Sequence, residues 1–187
     1  MASAVQTAQS VNGVDVSALK QTIGAIHQDP ALGKFQFRVR NRWLGAAHNQ
    51  STIRDFYGAG QEDNSREQAY VFDCDEPPVL LGQDQGANPV EYLLNALAGC
   101  LTTALVMHAA ARGIRIESVC SELEGDIDIR GFLGLTDEVP RGFQKIRVAI
   151  HVKSDAPPEK LKELAAYSPV FNTIVNPTPV ELQILPD

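Results

Sequence analysis

The sequence predicts an α+β fold. Three observations carry the prediction: one long apolar helical segment near the middle, alternating strand patterns on both sides of it, and no regular strand–helix alternation of the kind that builds a doubly wound sheet. A chain of 187 residues is long enough to bury a sizeable core. Residues 1–34 read as an N-terminal segment with a short helix, and residues 35–187 as a single domain.

Residues 1–12 are small and polar and are expected to form a frayed start. Val16 to His27 places Leu19, Ile23 and Ile26 at helical spacing and stops at Asp29-Pro30, because the residue before a proline disfavours the helical region. From Phe35 to Trp43, Phe35, Phe37, Val39 and Trp43 alternate with Gln36, Arg38, Arg40 and Arg42. That is a strand with one apolar face and one wet or functional face. Further strands are expected over His48 to Phe56 and Ala69 to Asp73, with polar Gly58 to Glu67 as the loop between them.

Two turn-rich stretches, Glu76-Pro77-Pro78 and Gly82 to Gly86, lead into the long helix. Asn88 suits the N-cap, Pro89 the first helical position, and Glu91 stands three residues after the cap, the spacing of a capping box. Leu93, Leu97, Leu101 and Leu105 form one stripe, and Leu94, Ala98, Thr102 and Val106 cover another side. A helix so weakly amphipathic is expected to be buried on most sides and to end at Gly113.

After it, Ile114 to Arg130 and Phe143 to Lys153 read as two longer strands, joined by the glycine-rich Gly131 to Gly142. Pro158 to Ala166 reads as a short helix, Ser168-Pro169 as the start of another running towards Val175, and Pro179 to Leu185 as a final strand. One short sheet cannot cover such an apolar helix. A second copy of the chain can, and an intertwined homodimer is expected.

The formal net charge is -7, and few lysines or arginines cluster, which argues against nucleic acid or an anionic membrane surface as partner. Three cysteines do not make a disulfide framework and fit a reducing compartment. The first residues show no charged-then-apolar leader, and no other stretch reads as long and uniformly apolar enough to span a bilayer, so a cytoplasmic location is expected. Four histidines without ligand spacing and three mutually isolated cysteines give no metal site. Gly82…Gly86 and Gly131…Gly134 do not match a phosphate loop, so no cofactor is expected.

Cys100, between Gly99 and Leu101-Thr102-Thr103, is the candidate for chemistry. Set against this, cysteine is among the commonest core residues. A reactive cysteine must form thiolate, and about three turns into a helix the end-of-helix dipole has faded. A cation must then favour the thiolate, and Arg38, Arg40 and Arg42 share the non-core face of the first strand. Their plain alternative role is to keep a sheet face soluble. His108, eight residues beyond Cys100, lies about 12 Å along the helix, too far for a base, and reads as packed or interfacial. His48 reads as a strand residue and His151 as surface.

Asn88-Pro89 through Gly99-Cys100-Leu101-Thr102, followed by Gly113-Ile114 and an alternating strand, resembles the OsmC-like family, which includes osmotically inducible protein C and the organic hydroperoxide resistance proteins. The similarity extends to Asp75…Pro77, Gly82…Asp84…Gly86 and Ser168-Pro169-Val170, and covers about Phe35 to Leu185. The resemblance implies strands around a buried central helix in an interlocked homodimer, with two active sites at the subunit interface. It implies a cysteine at the position of Cys100 that reduces organic or fatty-acid hydroperoxides, a second cysteine that resolves it, and restoration by a lipoyl protein or small dithiol. It further implies activation by a basic residue from the N-terminal strands, here Arg38 or Arg40 with no choice between them, and by a glutamate at the start of the central helix.

The sequence departs from that pattern twice. Ser168 stands where the peroxidase members carry the resolving cysteine, and its plain role is to cap the helix beginning at Pro169. Val90 stands where they carry the glutamate. Glu91 is no substitute, since nine positions at about 100° each put it on roughly the opposite face from Cys100. Cys74 and Cys120 are the remaining candidates for a resolving thiol, and by default both are ordinary buried cysteines. The expected function is thiol-dependent reduction of organic hydroperoxides through Cys100 with an external thiol to resolve it. The alternatives are a non-catalytic protein binding a small apolar ligand in an interface pocket, and a structural dimer without a pocket.

Overall fold

The computed structural model describes residues 10–176 and 178–186. The chain forms two compact units, one spanning Asp15–Leu93 and the other combining Ser10–Val14 with the chain from Leu94 onward. The expectation for residues 1–9 lies outside the described residues. Ser10 to Asn12 is not frayed: strands β1 (Ser10–Val11) and β2 (Val14–Asp15) form a small ribbon.

In the first unit, α1 (Val16–Gln28) is capped by the Asp15 carboxylate, which accepts the backbone N–H groups of Ser17 and Ala18. The strand expected from Phe35 to Trp43 is two strands, β3 (Gln36–Phe37) and β4 (Arg40–Gly45), because the chain changes sheets at Arg38-Val39. Its apolar face is uncovered within the chain: Phe37 is 72% and Trp43 74% exposed.

Strands β5 (His48–Ile53), β6 (Phe56–Gly58), β7 (Gln61–Asp63) and β8 (Tyr70–Cys74) complete two antiparallel sheets, ordered β3-β6-β7 and β4-β5-β8. Strand β7 lies where a loop is expected. Its three residues are polar and carry no apolar signal. The hairpin is made by Ala59-Gly60, both at positive φ, which is the geometry of a two-residue turn that matches strand twist.

Asp75 organises the following loop. It is 2% exposed, and its carboxylate accepts backbone N–H groups from Glu76 (2.8 Å), Gln83 (3.0 Å) and Gln85 (3.2 Å). Gly82 and Gly86 let the loop close, since a Cβ on either would overlap a backbone carbonyl, of Glu76 or Asp73 respectively.

Helix α2 (Pro89–Ala111) begins with the expected capping box: Val90 N–H donates to Asn88 Oδ1 and Asn88 N–H donates to Glu91 Oε2, both at 2.9 Å. It ends at Gly113, whose φ of +71° turns the chain so that the N–H groups of Gly113 and Ile114 return to Ala110 and Ala109. Asn12 then fixes the exit, donating to the Ile114 carbonyl and accepting the Ile116 N–H. Nothing in the local sequence announces that clamp, which spans more than a hundred residues.

The second unit sets a long antiparallel hairpin, β9 (Ile116–Ile127) and β10 (Phe143–Ser154), against α2, α4 (Pro158–Ala165) and α5 (Pro169–Val175). Its core joins Leu97, Leu101, Leu105 and Ala109 of α2 to Leu161, Leu164 and Ala165 of α4. Val119, Leu123, Ile146 and Ile150 pack from the hairpin's inner face. Contrary to expectation, the helix is long and apolar enough to cross a membrane by length and composition; Leu97, Leu101 and Leu105 of its leucine stripe are spent on this core, while Leu93 is 40% exposed. The hairpin connection holds one unexpected helical turn, α3 (Ile129–Phe132), capped by Asp128.

The strand expected from Pro179 to Leu185 does not form: Thr178 to Pro186 carries no ladder, and Val180, Leu182 and Ile184 are 85–90% exposed. Alternation gives that segment a strand-like pattern, but no edge among the described residues of this chain receives it.

Candidate active site around Cys100

Cys100 lies between Gly99 and the buried Leu101 on α2, is half-buried, and carries no disulfide. Leu101 and Leu105 form one wall of an apolar groove of about 530 Å³ in the second unit. Val148, Ile150 and Val152 of β10 form another wall, and Phe171 and the α4 residues Leu161 and Ala165 close the side. Glu159 and Lys162 stand at its polar margin.

Ser168 is entirely buried, and its Oγ accepts the Phe171 N–H at 3.1 Å as the cap of α5. The expected capping role is the one observed. Glu91 is likewise engaged at the helix start by the Asn88 N–H. Val90 is half-buried and lines, with Pro77, Asp84, Asn88 and Glu91, a second and smaller hollow of about 210 Å³ in the first unit.

Arg38 and Arg40 belong to the first unit, and carboxylates bring them together there. Arg38 makes a two-pronged contact with Glu62 (2.7 and 2.8 Å) and reaches Asp55 at 3.4 Å, while Arg40 donates to Asp55 at 2.9 Å. Hydrogen bonding from Arg40 holds the Asp55 carboxyl at about 2, and hydrogen bonding from Arg38 holds Glu62 below the usual carboxylate range. Two guanidiniums against two carboxylates leave this cluster formally neutral. Arg42 turns instead to Gln50, at 2.8 Å. Sequence reading missed Asp55 and Glu62 because Asp55 lies in the link between β5 and β6 and Glu62 at the middle of the short polar β7, where no pattern marks a partner.

The other cysteines separate clearly. Cys74 is buried at the end of β8, where burial, and then the neighbouring Asp73, push its thiol pKa up. Cys120 is exposed, contrary to the expectation of a buried cysteine. It points to the outer face of the hairpin, because Val119 and Leu123 take the inner one and side chains alternate along a strand. The sheet therefore stands between the Cys120 thiol and α2 of the same chain.

His48 pairs with Asp73 at 2.9 Å, and Gln50 adds a third group to that carboxylate. His108 is packed, as expected: its ring stacks on Tyr167 with centroids 4.1 Å apart, and Arg112 Nη1 lies 3.2 Å from its Nδ1. Burial, helped by Arg112, holds its pKa below the ordinary histidine value. His151 is exposed on β10. Among the described residues no three histidines, cysteines or carboxylates gather as a metal would require.

A long helix packed on an antiparallel hairpin, with a cysteine at its middle and a glycine-stopped end, defines an OsmC-type fold. Residues 82–183 match the family model described as OsmC-like protein, and the chain belongs to the OsmC-like family. No curated protein matches the chain.

Among solved structures it is similar to an OsmC-like protein from Mycoplasma pneumoniae (16% identity, 76% of this chain and 89% of that one, TM-score 0.56). It is also similar to a protein from Psychrobacter arcticus described as an osmotic stress induced and detoxification response protein (16%, 74% and 88%, TM-score 0.53). A third is an OsmC-like protein of unknown function from Vibrio cholerae (12%, 74% and 92%, TM-score 0.54). Likenesses this distant in sequence show the fold.

Proposed function

We propose that this OsmC-like protein reduces organic hydroperoxides through Cys100 alone, as a cytoplasmic homodimer. The observation that carries the reading is a free, half-buried thiol at the middle of α2, the helix whose Leu101 and Leu105 line the apolar groove, although Cys100 itself is not among the residues that line it. The groove would hold the organic tail. The Cys100 thiolate attacks the distal peroxide oxygen, the O–O bond breaks, and the alcohol leaves while Cys100 becomes a sulfenic acid. A small thiol or lipoyl-protein dithiol then condenses with it, releasing water and forming a mixed disulfide. A second thiol releases Cys100 and carries away the disulfide.

Arg38 or Arg40 of the first unit would favour the thiolate. Their carboxylate partners cancel their charge, so activation calls for one guanidinium to exchange Asp55 or Glu62 for the thiolate. Arg40, 67% exposed at its side chain against 31% for Arg38, is the freer to move.

The test is turnover of cumene hydroperoxide with dihydrolipoamide, comparing wild type with Cys100→Ser, Arg38→Ala and Arg40→Ala. Loss of turnover in Cys100→Ser and a reduced rate in one arginine variant support the proposal. Negligible rates in wild type and Cys100→Ser alike reject it.

The fixed cap at Ser168 and the size of the groove favour a second reading, a non-catalytic protein holding a small apolar ligand. Native mass spectrometry of the freshly purified protein, with a ligand retained and lost on denaturation, would select that reading over catalysis.

A further inference from the structure

The outer face of the β9–β10 hairpin carries a second thiol beside an imidazole. Cys120 on β9 and His151 on β10 are directly opposed in the antiparallel register, and both are exposed. Directly opposed residues have Cβ atoms about 5 Å apart and side chains on the same face, close enough for imidazole and thiol to meet. The thiol and imidazole are not hydrogen-bonded to each other in the structure, and neither has a hydrogen-bond or ion-pair partner elsewhere among the described residues, so both are free to turn toward one another.

The neighbouring cations are committed elsewhere. Lys153 pairs with Glu117, and Arg147 pairs with Glu124 and Asp126. Glu122, two residues along the same face, stands opposite Ala149. His151 is thus the group best placed to take the Cys120 proton.

We propose that Cys120 and His151 form a reversible S-thiolation site for low-molecular-weight disulfides, independent of Cys100. The proton passes from Cys120 Sγ to the imidazole, and the thiolate attacks one sulfur of the disulfide. A new S–S bond forms to Cys120 as the old one breaks, and the departing thiolate takes up the proton. No net electrons are gained or lost: protein thiol plus disulfide gives protein mixed disulfide plus small thiol. The adduct projects from the solvent side of the sheet, away from the core residues Val119 and Leu123, so the fold accommodates it.

The test uses the folded wild-type chain with oxidised glutathione, followed by intact mass and peptide mapping over a pH series. An adduct on Cys120 is expected at the same rate in wild type and Cys100→Ser, and none at that peptide in Cys120→Ser. His151→Gln should slow the reaction at pH 7 by about three-fold or more. The two rates should converge above about pH 9, where an ordinary thiol ionises unaided. Lys153→Gln should leave the rate near wild type. No adduct on Cys120, an unchanged rate there in His151→Gln, or an equal loss in Lys153→Gln would overturn the assignment.

Discussion

Ser168 Oγ accepts the Phe171 backbone N–H at 3.1 Å, and no part of Ser168 reaches solvent. Its carbonyl also receives the Asn172 N–H and side-chain amide. Where the resemblance implied a resolving cysteine, this chain keeps a helix cap, which is why the proposed cycle depends on an external thiol.

Ser168→Ala should therefore cost about 1–2 kcal/mol, the upper part of the range for a lost cap because the freed N–H is shielded from water. Urea denaturation with an unchanged slope would measure it. A change within error would mean that the α5 start is held by packing alone.

Leu164 has no exposed surface and sits where α4 meets α2 in the core. Leu164→Ala should destabilise by about 2–5 kcal/mol, and Ile150→Val, on the partly buried hairpin face, by about 1 kcal/mol. Thermal or urea melts of the pair read the ratio. Comparable small losses would show that the core collapses readily around a lost methyl.

Acid should loosen the first unit through two carboxylates. Burial alone would raise the Asp75 pKa, but the three backbone N–H groups outweigh it and leave the carboxyl below its usual value. Arg40 holds Asp55 at about 2. Both values are depressed in the folded state, so the stability they confer is present above the unfolded value of about 4 and is lost as pH falls through the folded one. Asp55→Asn should flatten the stability profile between about pH 4 and pH 2. Asp75→Asn should speed hydrogen exchange at the Gln83 and Gln85 amides at neutral pH.

His108 acts in a higher window. Arg112 can only donate, so Nδ1 of the stacked imidazole accepts, and a proton there would face the guanidinium. Its folded pKa is depressed, so the unfolded chain takes up the proton first, and stability falls as pH drops from about 6.5 through the folded value. His108→Phe keeps an aromatic ring on Tyr167 and removes the titration. The fall in urea midpoint between pH 7 and pH 5 should shrink in that variant. An identical fall would assign the effect to other groups.

The amino-acid order alone determined the elements whose signals are local. The Asn88–Glu91 box and Gly113 bound α2 because capping acts within one turn. The inward alternation of Ile146, Val148, Ile150 and Val152 announced β10, and Ser168-Pro169 announced the α5 cap. The family resemblance was legible in the same residues.

Tertiary structure decided what depends on distant partners. The sheet switch at Arg38-Val39 follows from β3 pairing with β6 while β4 pairs with β5, and no residue at the switch encodes that choice. The engagement of Arg38 and Arg40 by Asp55 and Glu62, fifteen or more residues away, is a matter of packing and charge in space. Alternation gave Cys120 a face but could not say which face met solvent until α2 covered the other. The segment from Pro179 to Leu185 shows the limit most plainly, for a strand needs an edge to join, and an edge is a property of the folded assembly.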